Sequence, residues 1–188
     1  MKNIAIFGSG NGSNFEAICE ANKNGIIKTN IKLLVCDKKK AFIIERAKKY
    51  GIETLVLSLK DFASKADYEQ AIVNRLKELE IDYIFLAGYM KICSNVLLSN
   101  YKGKIINIHP ALLPSFKGAH GILDAYNYGV KVFGVTVHYV DEGIDSGKII
   151  AQDIINYEDG DSIEIVEEKI HKLEHVLYVN TIKKILEE

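Results

Sequence analysis

Ile4-Ala5-Ile6-Phe7-Gly8-Ser9-Gly10-Asn11-Gly12-Ser13-Asn14 is the stretch that decides the fold. A short apolar run feeds a glycine-rich loop, and the segment Phe15 to Asn22 that follows has helical apolar spacing. Strand, loop and helix in that order put free backbone N–H groups and a helix dipole where an anion can sit, with phosphate the natural guess. The spacing departs from G-x-G-x-x-G, which would need a glycine at position 13, and from a Walker loop, which would end in Gly-Lys-Ser/Thr. Asp37, after the second strand-like run, imitates a ribose-binding acid, so a dinucleotide enzyme stays an alternative.

Outward from this unit, Ile31 to Val35 and Thr54 to Leu57 read as further strands, with a helix over Ala41 to Tyr50 between them, giving βαβαβ. A longer helix, Tyr68 to Glu80, leads into Tyr83-Ile84-Phe85-Leu86-Ala87, apolar on both faces as a central parallel strand is. A turn of chain then precedes a strand over Ile105 to Ile108. Beyond Pro114 the pattern predicts a helix near Ile122 to Tyr128 and strands over Val132 to Val140 and Lys148 to Ile155. About seven residues join these two strands, too few for a crossover helix, so the pair should be antiparallel. Asp161-Ser162 offers an N-cap, with Glu164 in the first turn, for a long terminal helix through Ile170, Leu173, Val176, Leu177 and Ile185. The fold class is therefore α/β: an open, mostly parallel twisted sheet flanked by helices, with a Rossmann-like N-terminal half and an antiparallel pair and long helix near the C-terminus.

At 188 residues and 48% hydrophobic, the chain suits one domain with two functional halves, about 1–100 with the phosphate loop and about 101–188 with the candidate catalytic residues. Lys and Arg number 24 against 25 Asp and Glu, which implies no basic surface for nucleic acid. Lys38-Lys39-Lys40 reads as a solvated turn. The partner is expected to be small. Cys19, Cys36 and Cys93 form no C-x-x-C, so they read as free thiols in a reducing compartment. No signal-peptide layout and no membrane-length apolar run is seen, so a cytoplasmic location and no membrane partner are expected.

Two constellations carry chemistry. Asn107 and His109 share strand parity and so project to one face at a strand end, where Pro110 stops the ladder. An amide donor beside an imidazole suits carbonyl chemistry, in which an oxygen gains negative charge. Asp145 lies in the loop Asp141-Glu142-Gly143-Ile144-Asp145-Ser146-Gly147, where turn chemistry and catalysis are equally good readings from spacing alone. His171-Lys172-Leu173-Glu174-His175 matches H-x-x-E-H, but too little chain follows for the third ligand of such a zinc site, so no metal is expected. A solvated helix face and a polar edge of the site both remain readings of that segment.

Gly10-Asn11-Gly12-Ser13-Asn14, Leu86-Ala87-Gly88-Tyr89-Met90, Asn107-Ile108-His109-Pro110-Ala111-Leu112-Leu113-Pro114, Val135-Thr136-Val137-His138 and Asp145-Ser146-Gly147 together resemble the folate-dependent formyltransferases. Within that superfamily the Gly-Asn-Gly-Ser-Asn loop and Leu173-Glu174-His175 resemble the phosphoribosylglycinamide formyltransferase (glycinamide ribonucleotide transformylase) family. The resemblance runs nearly end to end. It implies transfer of the formyl group of 10-formyltetrahydrofolate, as co-substrate, to the amine of glycinamide ribonucleotide in purine synthesis, by a monomer or homodimer. It assigns Asn107, His109 and Asp145 to catalysis, and Gly12, Ser13, Asn14 and Glu174 to the ribonucleotide. The folate falls to Lys65, Met90, Lys91, Ile92, Cys93, Asn107, Val140, Glu142, Gly143 and Ile144. Lys91 stands where the family often has Arg, and Lys lacks Arg's planar fork. Other formyl-folate enzymes are the nearest alternatives; a tRNA formyltransferase or a formyl-folate hydrolase would carry an additional domain. A non-catalytic nucleotide-binding module would have no use for Asn107, His109 and Asp145 together.

Overall fold

The computed structural model describes residues 1–187. Strands β1 (Asn3–Gly8), β2 (Asn30–Cys36), β3 (Glu53–Val56), β4 (Tyr83–Leu86), β5 (Ile105–His109), β6 (Gly134–Tyr139) and β7 (Ile149–Ile154) form one sheet in the order β3-β2-β1-β4-β5-β6-β7. β1 to β5 are parallel. β6 runs antiparallel to both β5 and β7, so the reversal expected for the last pair begins one strand earlier. Because β1 is flanked by β2 on one side and β4 on the other, the crevice outside their carboxyl ends is the switch point where open α/β sheets bind ligands.

Alternation along the central strands supplies a core on each face. Ile4, Ile6, Leu34, Phe85, Ile106 and Ile108 pack with helices α1 (Ser13–Lys23), α2 (Ile43–Lys49), α5 (Gly121–Tyr128) and α6 (Ile163–Glu187). Ala5, Phe7, Leu33, Val35, Ile84 and Ile105 pack with α3 (Lys65–Glu78) and α4 (Asn95–Asn100) on the other face. Tyr178 is fully buried in α6, and its hydroxyl is shared between the Leu86 and Ile106 carbonyls at 2.9 and 3.1 Å. That donor ties the long helix to the ends of β4 and β5.

Several boundaries differ from the sequence expectation for identifiable reasons. α3 starts at Lys65, ahead of Tyr68, because Ser64 Oγ accepts from the Asp67 amide at 3.1 Å, and its polar first turn carries no apolar period. α2 starts at Ile43 rather than Ala41, after the exposed turn at Lys38 to Lys40. The segment expected as a turn before β5 contains α4, six residues long. A helix that short is marginal by itself. Here the buried Glu69 of α3 accepts from the Ser94 and Leu97 amides at 2.8 and 3.2 Å, satisfying donors that the helix start leaves open. A 3₁₀ turn at Leu59–Asp61 was not expected either.

Candidate active site

The loop after β1 is shaped by Ile43. Gly12 has φ +80°, and a Cβ there would lie 2.5 Å from Ile43 Cγ1, while one at Gly8 would lie 2.4 Å from Ile43 Cδ1. Glycine is therefore required on two counts at Gly12. Gly12 is the N-cap of α1 and offers no side-chain cap, so the first amides of the helix are open to an anion. Arg46 holds the loop from α2: its Nε and one terminal nitrogen donate to the Asn11 carbonyl and Asn11 Oδ1, each at 2.9 Å. The other terminal nitrogen pairs with Glu16, so the acid in the first turn of α1 is neutralised. Gly12→Ala is expected to cost about 1–3 kcal/mol of stability through overpacking and to displace the start of α1. A denaturant titration checks the cost, and unchanged stability would contradict the role given to Ile43.

At the end of β5, Asn107 and His109 lie opposite His138 and Thr136 of β6. Thr136 Oγ1 donates to the Ala111 carbonyl at 2.7 Å and accepts from the Leu113 amide at 3.1 Å, which fixes the chain that leaves Pro110. The His109 ring is 4% exposed, with Nε2 2.8 Å from the Phe116 carbonyl and Nδ1 3.5 Å from Asp145 Oδ2. Asp145 has φ +47°, a left-handed conformation that Asp tolerates better than most residues. Its Oδ2 accepts from the Gly118 amide at 2.8 Å, and its Oδ1 lies 3.6 Å from His138 Nε2. Burial works to raise the Asp145 pKa, but the His138 ring, the Gly118 amide and the His109 ring together hold it below the usual carboxylate value. The preceding turn is organised by Asp141, which accepts from Ser146 Oγ at 2.6 Å and the Gly143 amide at 3.0 Å.

One cavity of ≈ 560 Å³ collects these parts. Its walls include Gly12, Ser13 and Asn14 from the loop, Met90, Lys91, Ile92 and Cys93 after β4, and Asn107 and His109 from β5. Val140, Gly143, Ile144 and Asp145 close another side, and Glu174 comes from α6. Two residues expected near the folate stand outside this wall. Lys65 begins α3 behind Cys93, near enough for its charge to act on that thiol, and Glu142 is exposed at the tip of its loop. Burial pushes the Cys93 thiol up to about 12, with Glu69 adding to the effect, so it is a wall and a poor nucleophile.

In the sequence His138 stands out only as part of the run Val135-Thr136-Val137-His138. Its place in the site depends on the β5–β6 register, which no local pattern reveals. His171 also lines the cavity and lies 2.8 Å through Nδ1 from Glu174 Oε2, a contact that raises its pKa. The i, i+3 spacing of His171 and Glu174 on one helix was the available signal. Among the described residues, no three His, Cys, Asp or Glu side chains are grouped as a metal would need, and no helix is long and apolar enough to cross a membrane.

A glycine loop at a helix start and an Asn–His–Asp cluster thus share one cavity at the switch point of an α/β sheet. The chain belongs to the formyl transferase family, whose sequence profile matches residues 2–182. Its relatives within the family are specific ones. It is 50% identical over 186 residues to phosphoribosylglycinamide formyltransferase of Bacillus subtilis, covering 99% of this chain and 95% of that protein. The structure of glycinamide ribonucleotide transformylase 1 from Geobacillus kaustophilus is similar with a TM-score of 0.96 at 49% identity, covering 99% of both chains. That of the Streptococcus pneumoniae phosphoribosylglycinamide formyltransferase gives 0.93 at 47% identity, again over 99% of both.

Proposed function

We propose that this protein transfers the formyl group of 10-formyltetrahydrofolate to the primary amine of glycinamide ribonucleotide, giving formylglycinamide ribonucleotide and tetrahydrofolate in purine biosynthesis. The observation that carries the reading is the single cavity lined by both the Gly12–Asn14 loop and the Asn107, His109 and Asp145 cluster. Its volume is in the range of small-molecule sites. The helix start at Gly12 to Asn14 takes the phosphate through its open backbone amides. Glu174 takes the ribose side. Met90, Ile92 and Ile144 are large apolar residues, each more than half exposed, on the cavity wall, as a flat aromatic folate head would require. Residues about 1–100 chiefly hold the ribonucleotide, and about 101–188 carry the reacting groups.

In this mechanism the amine attacks the formyl carbon and a tetrahedral intermediate follows. Asn107 Nδ2 donates to the oxygen as it gains charge, and the His109 imidazolium, whose nitrogens face Phe116 and Asp145, sets its positive charge beside it. Asp145 supports the cationic ring and assists transfer of the proton from the amine to the leaving folate nitrogen, directly or through water. The chain supplies orientation and charge, and no covalent intermediate with the protein is needed. The test is to mix the purified protein with both substrates and follow folate absorbance, with a control lacking glycinamide ribonucleotide. Turnover only with the amine supports transfer; equal turnover without it would make the protein a hydrolase. Substituting Ser13 and Asn14 by alanine should raise the KM for the ribonucleotide well above any change in that for the folate. An equal change in both would move the phosphate elsewhere.

A further inference from the structure

The proton inventory around Asp145 assigns a role to His138, a residue with no part in the mechanism so far. His138 is 2% exposed, and its Nδ1 lies 2.9 Å from the Tyr139 carbonyl. A carbonyl can only accept, so Nδ1 carries a proton. Nε2 lies 3.2 Å from Asn107 Nδ2, which always carries hydrogens, so a ring receiving that bond has a bare Nε2 and is neutral. Asp145 Oδ1 lies farther from Nε2, at 3.6 Å and beyond hydrogen-bond range, so Asn107 is the nearest partner of that nitrogen. His109 is in the opposite situation. Its Nε2 proton is committed to the Phe116 carbonyl, and its Nδ1 faces a carboxylate 3.5 Å away, an arrangement that is attractive only if Nδ1 is protonated too.

We infer that His138 is a positioning residue: neutral, donating through Nδ1 to Tyr139 and accepting through Nε2 from Asn107, it fixes the amide of Asn107 and leaves His109 as the imidazolium partner of Asp145. The Asn107 amide has two hydrogens, so one is anchored and the other stays directed by that anchor toward the cavity. Without the anchor the amide could rotate and present its oxygen, an acceptor, to a developing oxyanion. The other groups around the ring fit this assignment. β5 contributes Asn107 and His109, the loop after β6 Asp141 and Asp145, and α6, which packs on β6, brings Glu174 and His171 to the same cavity. β7 places only Ile149 opposite His138.

The inference rests on the formyl-transfer reading for its kinetic part, and a spectroscopic measurement separates the two. In ¹⁵N-histidine-labelled wild-type protein, His138 should show the neutral Nδ1–H tautomer across the pH range of activity. A doubly protonated His138, or its Nε2–H tautomer, would overturn the inference whether or not formyl transfer is observed. Absent transfer with the expected tautomer would instead count against the functional reading alone. His138→Leu should lower kcat about 10²-fold with little change in either KM, the size of effect that misplacing a reacting group by about 1 Å produces. His138→Gln, whose side-chain oxygen can accept at the position of Nε2, should recover much of the loss and keep the pH limbs of the wild type. Unchanged kcat in His138→Leu, or a limb that vanishes in His138→Gln, would contradict the assignment.

Discussion

His109→Ala should lower kcat by about 10²–10⁴-fold while the protein stays folded, the range expected when a positioned acid or oxyanion donor is removed. The ring faces the Phe116 carbonyl on one nitrogen and the Asp145 carboxylate on the other. Nothing nearby can replace it. His138 is committed to Tyr139 and Asn107, and His171 pairs with Glu174 on α6. The ring also supports the start of α5, since a Cβ on Gly121 would lie 3.0 Å from His109 Nε2. Circular dichroism and a thermal melt should therefore accompany the kinetics. A folded variant with near-normal turnover would remove His109 from the mechanism.

Asp145→Asn should reduce kcat by about 10²–10³-fold, and the design of the variant makes the result interpretable. Asparagine tolerates the left-handed backbone at this position as well as aspartate does, and its oxygen can still accept from the Gly118 amide. What changes is the charge: the oxygen that accepts from Gly118 also faces His109 Nδ1 and no longer carries the negative charge that favours an imidazolium, while the NH₂ takes the Oδ1 position beside His138 Nε2. The variant removes the charge that supports the cationic ring. In the wild type the folded Asp145 carboxyl has a pKa below its ordinary value, so it is ionised throughout the neutral range, and its contribution to stability is lost as pH falls through that lowered value. Accordingly the activity that depends on the His109–Asp145 pair should fall at acid pH in the wild type. In Asp145→Asn the remaining activity should lose that dependence on carboxylate ionisation. Turnover close to that of the wild type would show that the carboxylate only shapes its loop.

The parts of this picture that could be read from sequence are those set by local periodicity. The β1 strand, its glycine loop and α1 follow from a contiguous run, and the shared face of Asn107 and His109 follows from strand parity. Elements set by distant contacts were not readable in this way. α4 is completed by Glu69, some 25 residues earlier in the chain, and so looked like a turn. His138 enters the site only through the antiparallel register of β6 on β5, where a one-residue slip would turn it to the other face. Asp145 was an even choice from loop composition because Asp and Gly serve turns equally well. The contact distances from its two oxygens to Gly118, His109 and His138 give it a chemical environment that composition could not supply. Lys65 and Glu142 were assigned through resemblance alone, and the fold puts both outside the cavity wall.

The arrangement is economical in charge. Arg46 is held by Asn11 and Glu16 and steadies the phosphate loop. Lys91 lies on the cavity wall with its Nζ 4.0 Å from Asp37 Oδ2, so the acid that resembles a ribose-binding group faces a lysine of the site instead. This places the second-strand acid in a different setting from that of a dinucleotide enzyme.

Tracing the formyl carbon tests the central claim most directly. A single turnover with 10-formyltetrahydrofolate labelled with ¹³C in the formyl group, and an excess of glycinamide ribonucleotide, should place all of the label in the new amide of the product, with none in free formate and none attached to the protein. Labelled formate in proportion to folate consumed, or label retained on the protein, would contradict direct transfer in the Asn107, His109 and Asp145 site.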